Sequence, residues 1–287
     1  MIDPGRVGII YNSKISEAYA LATDIANKLG LSPESRVFAA YREEGVEFVD
    51  NPSLIITIGG DGTILWAAQI AAPIGVPILG INMGVVGFMA ELSPNEAVNR
   101  ISEYLNGETW LERRNMIMAR MDLEDDLPQS AYIYNCLNEI VVGRGNISRP
   151  VYLETYVDDN LTFLHHADAV IVSTATGSTG YSLSAGGPIL HPESTDIIIK
   201  PVASHAGLSS ALVVPGASAI RVKNVGEQAS FVSVDGRYSI ELKSERYVTI
   251  NQSNMNVTFL RSHTQHYFYS SLLQRLKIGW DIRKARP

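Results

Sequence analysis

Cysteine is nearly missing from this chain: Cys136 is the one thiol in 287 residues. That excludes an internal disulfide and fits a reducing compartment. Basic excess is missing too. A net charge of -7 leaves no electrostatic footprint for nucleic acid. No Cys/His cluster has zinc spacing, and His165-His166 is an isolated pair. No Lys-Ser or Lys-Thr follows the last glycine of Gly59-Gly60-Asp61-Gly62, so a P-loop is excluded, and no G-x-G-x-x-G follows a strand. Ser182-Leu183-Ser184-Ala185-Gly186 lacks the first glycine of a nucleophile elbow. The opening residues are neither basic nor apolar enough for a signal peptide, which predicts a cytoplasmic protein. Gly62 to Ala90 carries no charged side chain, yet Pro73, Gly75, Pro77, Gly80, Gly84 and Gly87 interrupt it. A helix–turn–strand–loop series explains those breaks better than a membrane span.

What is present is an ordinary globular composition, 46% hydrophobic and 18% charged, long enough for one or two domains. Strands are predicted over Arg6–Tyr11, Arg36–Tyr41, Leu54–Ile58 and Val76–Ile81. Helical spacing joins Ala18, Leu21, Ala22, Ile25, Ala26 and Leu29, and Thr63 to Ile70 reads as a helix. Ser93-Pro94-Asn95-Glu96 is a helix-start signal for a segment ending at Asn106-Gly107. Alternating strands and helices imply a parallel sheet, with ligands at the carboxyl ends of its strands. Beyond Gly107 the pattern becomes β-rich. Strands are expected over Met116–Leu123, Ala131–Val142, Val151–Val157, Ala169–Ser173, Ile197–Pro201, Ala211–Val214, Ala219–Val225, Ser230–Val234, Tyr247–Ile250 and Asn256–Leu260. Tyr267–Ile278 reads as a terminal helix. The expected division is 1–112 α/β, 113–264 all-β, and 265–287 returning to the first domain.

Three stretches carry chemistry. Gly59-Gly60-Asp61-Gly62-Thr63 joins a buried strand to a helix start. Its glycines allow close backbone approach, and the first helical N–H groups attract anions. An anion site does not call for a carboxylate, so Asp61 acts on the chemistry or, alternatively, caps the helix. Asp168 to Pro188 leads from a strand into a run of hydroxyls and glycines with one tyrosine. Such a run suits a nucleoside with phosphates, or is simply a Gly/Ser-rich loop. Asn138-Glu139 lies within an otherwise apolar strand and is costly there unless satisfied, or else is an edge-strand polar pair.

In combination, Gly59-Gly60-Asp61-Gly62-Thr63, Gly84-Val85-Val86-Gly87-Phe88, Asn138-Glu139 and Thr176-Gly177-Ser178-Thr179-Gly180-Tyr181-Ser182-Leu183-Ser184-Ala185-Gly186-Gly187-Pro188 resemble the NAD kinase family in order and spacing. The resemblance covers nearly the whole chain. The first motif is shared with diacylglycerol, sphingosine and phosphofructokinase-type kinases; the last is specific. A lipid kinase and a dinucleotide sensor without catalysis are the alternatives.

The resemblance implies a phosphofructokinase/diacylglycerol-kinase-like α/β domain followed by a β-sandwich-like domain. It implies phosphoryl transfer from ATP or polyphosphate to the 2′-hydroxyl of the adenosine ribose of NAD, giving NADP, with a divalent metal such as Mg²⁺. Homodimers or homotetramers are usual for members. Asp61 would take the hydroxyl proton, and Gly59, Gly60 and Thr63 would receive the donor phosphates. Gly62, Phe88, Asn138, Glu139, Asp168, Thr176, Thr179, Gly180, Tyr181, Ser182, Leu183 and Ser184 would hold NAD. Arg149, His166, Ala203 and Arg237 fall at further contact positions. His166 stands where many members carry Arg or Lys and would reach a neighbouring subunit's ligand, or is a surface histidine. Arg237 stands where Gln is frequent. No metal ligands are implied, since no carboxylate cluster marks them.

Overall fold

The computed structural model describes residues 2–41, 46, 48–84, 87–107, 109–122, 131–146, 149–205, 209–264 and 266–276. It divides into two compact units, Met1–Glu112 with Val257–Pro287, and Arg113–Asn256.

The first unit is built on parallel strands β1 (Val7–Tyr11), β2 (Val37–Ala39), β3 (Leu54–Gly59) and β4 (Ile78–Asn82), in the order β2-β1-β3-β4. All six residues of β3 are buried, so both of its faces are covered and its sequence is apolar but for Thr57. Helices α1 (Ser16–Lys28), α3 (Asp61–Ile74) and α4 (Pro94–Asn106), with the short α2 (Pro33–Arg36), cover the sheet. α1 buries Ala18, Ala22, Ile25 and Ala26 at helical spacing. Gly75 ends α3 in the left-handed region, φ 67°, so the uncharged stretch 62–90 resolves into helix, turn, strand and loop. The Glu96 carboxylate accepts the Ser93 N–H at 3.2 Å, closing the capping box of α4. No helix among the described residues is long and apolar enough to cross a membrane.

The second unit is a sandwich of antiparallel pairs. One sheet runs β12 (Leu212–Val214), β11 (Ile197–Val202), β10 (Ala169–Ser173), β7 (Glu139–Arg144), β14 (Ser230–Val234), β15 (Tyr238–Leu242). Facing it are β5 (Trp110–Asp122), β6 (Ala131–Cys136), β8 (Val151–Val157), β9 (Asn160–Ala167), β13 (Ile220–Asn224) and the first half of β16 (Tyr247–Arg261). Ile140, Val142 and Val170 of the first sheet share one core with Leu153, Val222 and Val248 of the second.

Four expectations need correction. The single strand predicted over 131–142 is two strands in different sheets, because the chain turns at Leu137-Asn138. The two strands predicted over 247–260 are one strand of 15 residues, β16. Its later part joins the first unit, where Phe259 pairs in parallel with Ile78. The second boundary therefore falls at Val257 rather than at 265, with α6 (Tyr267–Arg275) on the same side. Finally, β9 and β15 are strands that the sequence pattern did not reveal.

Candidate active site

In the first unit, β3 ends at Gly59, Gly60 is the N-cap of α3, and Asp61 is the first helical residue. Asp61 does not cap the helix. Its Oδ2 accepts the N–H of Phe88 at 3.1 Å, 27 residues away. Its Oδ1 is buried and has no hydrogen-bond partner among the described residues. A Cβ at Gly87 would lie under 3.0 Å from this carboxylate, so only glycine fits beside it. A Cβ at Gly59 would strike Thr63 in the same way, whereas at Gly60 it would meet open space. Thr63 Oγ1 is also buried without a partner. In the first turn of α3 the Thr63 N–H donates to the Gly60 carbonyl at 2.9 Å, whereas the N–H groups of Asp61 and Gly62 precede any intrahelical acceptor. Residues 85 and 86 of the second glycine motif lie outside the described residues.

In the second unit the chain bend between β6 and β7 is held from two sides. The Asp235 carboxylate accepts the N–H groups of Leu137 at 2.9 Å, Asn138 at 2.8 Å and Glu139 at 3.3 Å, with the Cys136 thiol at 3.0 Å. From the other side Thr174 donates its hydroxyl to the Leu137 carbonyl at 2.6 Å and its N–H to the Asn138 carbonyl at 2.9 Å. Asn138 and Glu139 are thus presented by a braced turn rather than by a continuous strand. The hydroxyl run is no loose loop. Ser173, Thr174, Thr176, Ser178 and Ser182 are all buried, and the backbone forms a 3-10 turn, Gly177–Thr179, followed by the short helix α5, Tyr181–Ser184. A Cβ at Gly177 would lie under 3.0 Å from the Asn138 carbonyl, and one at Gly180 would sit 3.1 Å from Glu139 Oε2. Leu183 and Ser184 lie in α5, and Tyr181 is exposed.

Buried polar atoms without partners mark these places. Of nine such side-chain atoms among the described residues, six belong to Asp61, Thr63, Asn138, Glu139, Thr176 and Ser182. Stranding that many buried groups is costly unless something else satisfies them.

Burial pushes the Glu139 carboxyl up to about 7, the Asp235 charge adds to it, and the Tyr181 N–H pulls it back. Burial likewise raises Asp235, against the donors gathered on it. Glu139 is therefore raised in the folded state above its ordinary 4.5. Its stabilising contribution is complete below that value and is lost as pH rises through about 7. We expect the wild type to lose more thermal stability between about pH 5 and about pH 8 than Glu139→Gln does. Parallel melting profiles for the two proteins would refute the shift.

The remaining candidates collect at the other end of β7 and β10, roughly 17 Å from Glu139 at about 3.3 Å per residue. Asp168 pairs with Arg144 at 3.0 Å. Ala203 takes φ 46°, left-handed for a non-glycine. The His205 N–H donates to the His166 carbonyl at 2.8 Å. His166 stacks on Tyr152 at 4.4 Å, whereas His165, on the opposite face of β9, is buried against the Thr155 hydroxyl and pushed down to about 4 by that burial. A cavity of about 630 Å³ is lined by Arg144, Arg149, Tyr152 and His166 with the 225–229 loop. Arg237 lies on the β14–β15 turn, just after Asp235, its guanidinium 5.5 Å from the Tyr238 ring. The sequence marked Asp235-Gly236 only as a turn, and Asp235 is the residue that reading missed. Its position in a tight hairpin opposite a buried polar pair was the available signal.

A glycine-rich turn carrying one carboxylate on a parallel α/β unit, with a hydroxyl-lined polar cluster on a β unit, defines a phosphotransferase for a nucleotide-like acceptor. The ATP-NAD kinase N-terminal domain matches residues 11–109 and the ATP-NAD kinase C-terminal domain residues 137–262. An NAD kinase of Dehalococcoides mccartyi is 38% identical over 275 residues, 95% of this chain and 96% of that protein. Two solved structures are similar in fold. An NAD kinase from Archaeoglobus fulgidus in complex with ATP has a TM-score of 0.73 at 25% identity, covering 96% of this chain and 100% of that one. The yeast NADH kinase complexed with NADH has a TM-score of 0.83 at 21% identity, covering 97% and 89%. The chain belongs to the NAD kinase family. Because that family is matched in both units, the lipid-kinase alternative, which rests on the first motif alone, is set aside.

Proposed function

We propose that this protein transfers a phosphoryl group from ATP, or from inorganic polyphosphate, to the 2′-hydroxyl of the adenosine ribose of NAD, forming NADP. The single observation that carries the role of Asp61 is its divided carboxylate. One oxygen is fixed by the Phe88 N–H, and the other is buried and unpartnered among the described residues. That is the arrangement of a group waiting to receive a hydroxyl proton. Phosphoryl transfer passes through a loose transition state, so orienting the hydroxyl matters as much as removing its proton. Gly59, Gly60 and Thr63 receive the donor phosphates on glycine-exposed backbone and a helix start.

Gly62, Phe88, Asn138, Glu139, Asp168, Thr176, Thr179, Gly180, Tyr181, Ser182, Leu183, Ser184 and Arg237 hold NAD. The unpartnered atoms of Asn138, Glu139, Thr176 and Ser182 support this. Arg149, His166 and Ala203 belong with Asp168, at the opposite end of β7 from Glu139. That separation, with Leu161 and Leu164 exposed on β9, the strand that carries His166, supports a homodimer or homotetramer in which His166 reaches a neighbouring subunit's ligand. A divalent metal, Mg²⁺, accompanies the donor. Among the described residues no group of three or more His, Cys, Asp or Glu comes together to hold one, and the ion would ride on the donor phosphates. The single cysteine fits a cytoplasmic enzyme.

Incubation with NAD, Mg²⁺ and either ATP or polyphosphate, followed by detection of NADP, tests the activity. Sedimentation of the same preparation tests the assembly. No NADP under single-turnover conditions would favour a sensor, and a monomer at active concentrations would refute the role of His166.

A further inference from the structure

The segment that orients Asp61 is itself held by the end of the chain. Gly87 packs on the carboxylate, and the Phe88 N–H donates to it. The two carbonyls that follow are each caught by an arginine from beyond residue 256. Arg275 Nη1 of α6 donates to the Phe88 carbonyl at 2.8 Å, and Arg261 Nη1 of β16 donates to the Met89 carbonyl at 2.9 Å. Arg261 is locked in turn. It is bidentate to Glu112, at 3.1 and 3.2 Å, and also meets Glu91 at 3.1 Å. Burial would lower its guanidinium, but these carboxylates more than offset that and raise it. Among the described residues Arg275 has no such pair of acids in hydrogen-bond contact. Burial and then the Arg261 charge push it below its ordinary value, and it rests instead on the rings of Tyr267, at 5.5 Å, and Phe88, at 5.9 Å. Two like charges are therefore gathered under one short backbone stretch. Docking a helix does not require that. Each instead holds one of two successive peptide carbonyls.

We infer that Arg275 is a positioning residue for Asp61, acting through the backbone of Phe88. This inference rests on the proposed role of Asp61. With the Phe88 carbonyl anchored, the residue's N–H keeps its aim at Asp61 Oδ2, and Oδ1 keeps one direction. Without the anchor, the carboxylate can turn while NAD and donor still bind. Small misplacements of a reacting group cost up to about 100-fold in rate.

The test uses the full chain, with ATP, Mg²⁺ and NAD. Arg275→Met is expected to lower kcat by about tenfold to 100-fold while KM for NAD stays within about twofold. Arg275→Lys, which keeps one donor for the carbonyl, is expected to recover most of the loss, and melting curves show that both variants fold. In an Asp61→Asn background, Arg275→Met is expected to lower the residual rate by less than about threefold, because there is no longer a base to aim. A kcat within about twofold of wild type for Arg275→Met, or an undiminished further loss in the Asp61→Asn background, would overturn the inference. Near-normal turnover of Asp61→Asn alone would instead overturn the role of Asp61, a separate and recognisable outcome.

Discussion

Asp61→Asn will bind NAD nearly as well as the wild type and turn over at least ~100-fold more slowly. The asparagine is isosteric. Its amide oxygen can still accept the Phe88 N–H, which occupies Oδ2 at 3.1 Å. What changes is the other position. An unpartnered oxygen becomes an NH₂ group, a donor where an acceptor is needed. The hydroxyl then loses both its proton acceptor and its orienting bond, while contacts made by Asn138, Glu139 and the hydroxyl run persist. Calorimetric titration with NAD, beside NADP formation under saturating substrates, separates binding from chemistry. Turnover close to wild type would remove Asp61 from its role.

Asp235→Ala carries the largest expected cost in stability. Four donors converge on that carboxylate: three consecutive backbone N–H groups and the Cys136 thiol. Removing the acceptor strands them at the bend between β6 and β7. At about 1–3 kcal/mol for each buried group left unmatched, and with water reaching some of them, the loss should total about 3–5 kcal/mol. NAD affinity should fall at least about tenfold, since Asn138 and Glu139 lose the turn that presents them. Asp235→Asn keeps one acceptor oxygen and should fall between. Urea unfolding and NAD titration of the two variants check this. A change under about 0.5 kcal/mol with unaltered binding would show the bend to be held by Thr174 alone.

Much of this architecture was legible in the chain because local and tertiary preferences agree. β3 is apolar but for Thr57 since both faces are covered, and Ser93 with Glu96 announces α4 by a local device. The strand–Gly–Gly–Asp–Gly–helix order placed Asp61 correctly at a helix start. It did not reveal that the carboxylate serves Phe88 rather than its own helix, because a bond across 27 residues leaves no local trace. The bend at Leu137-Asn138 was hidden in the same way. Apolar residues flank it on both sides, and its cause, Asp235, lies 97 residues beyond Asn138. β9 was hidden for a different reason. Leu161 and Leu164 are 51% and 63% exposed, so alternation of apolar and polar residues fails where a strand turns apolar groups outward. The hydroxyl run was read as either a nucleoside cradle or a loose loop. Burial of Ser173, Thr174, Thr176, Ser178 and Ser182 decides for a rigid element, which composition alone could not do.

Strand β16 leaves one core and enters the other without a break, and its last residue, Arg261, supplies the cation held between Glu91 and Glu112. A ribosome therefore delivers the β sandwich whole while the α/β part still lacks a parallel neighbour for β4 and Glu91 and Glu112 still lack Arg261. Maturation of the N-terminal part must wait for the residues from Val257 onward. A nascent chain stalled before Val257 would hold its first hundred residues in an immature, protease-sensitive form however long it lingered.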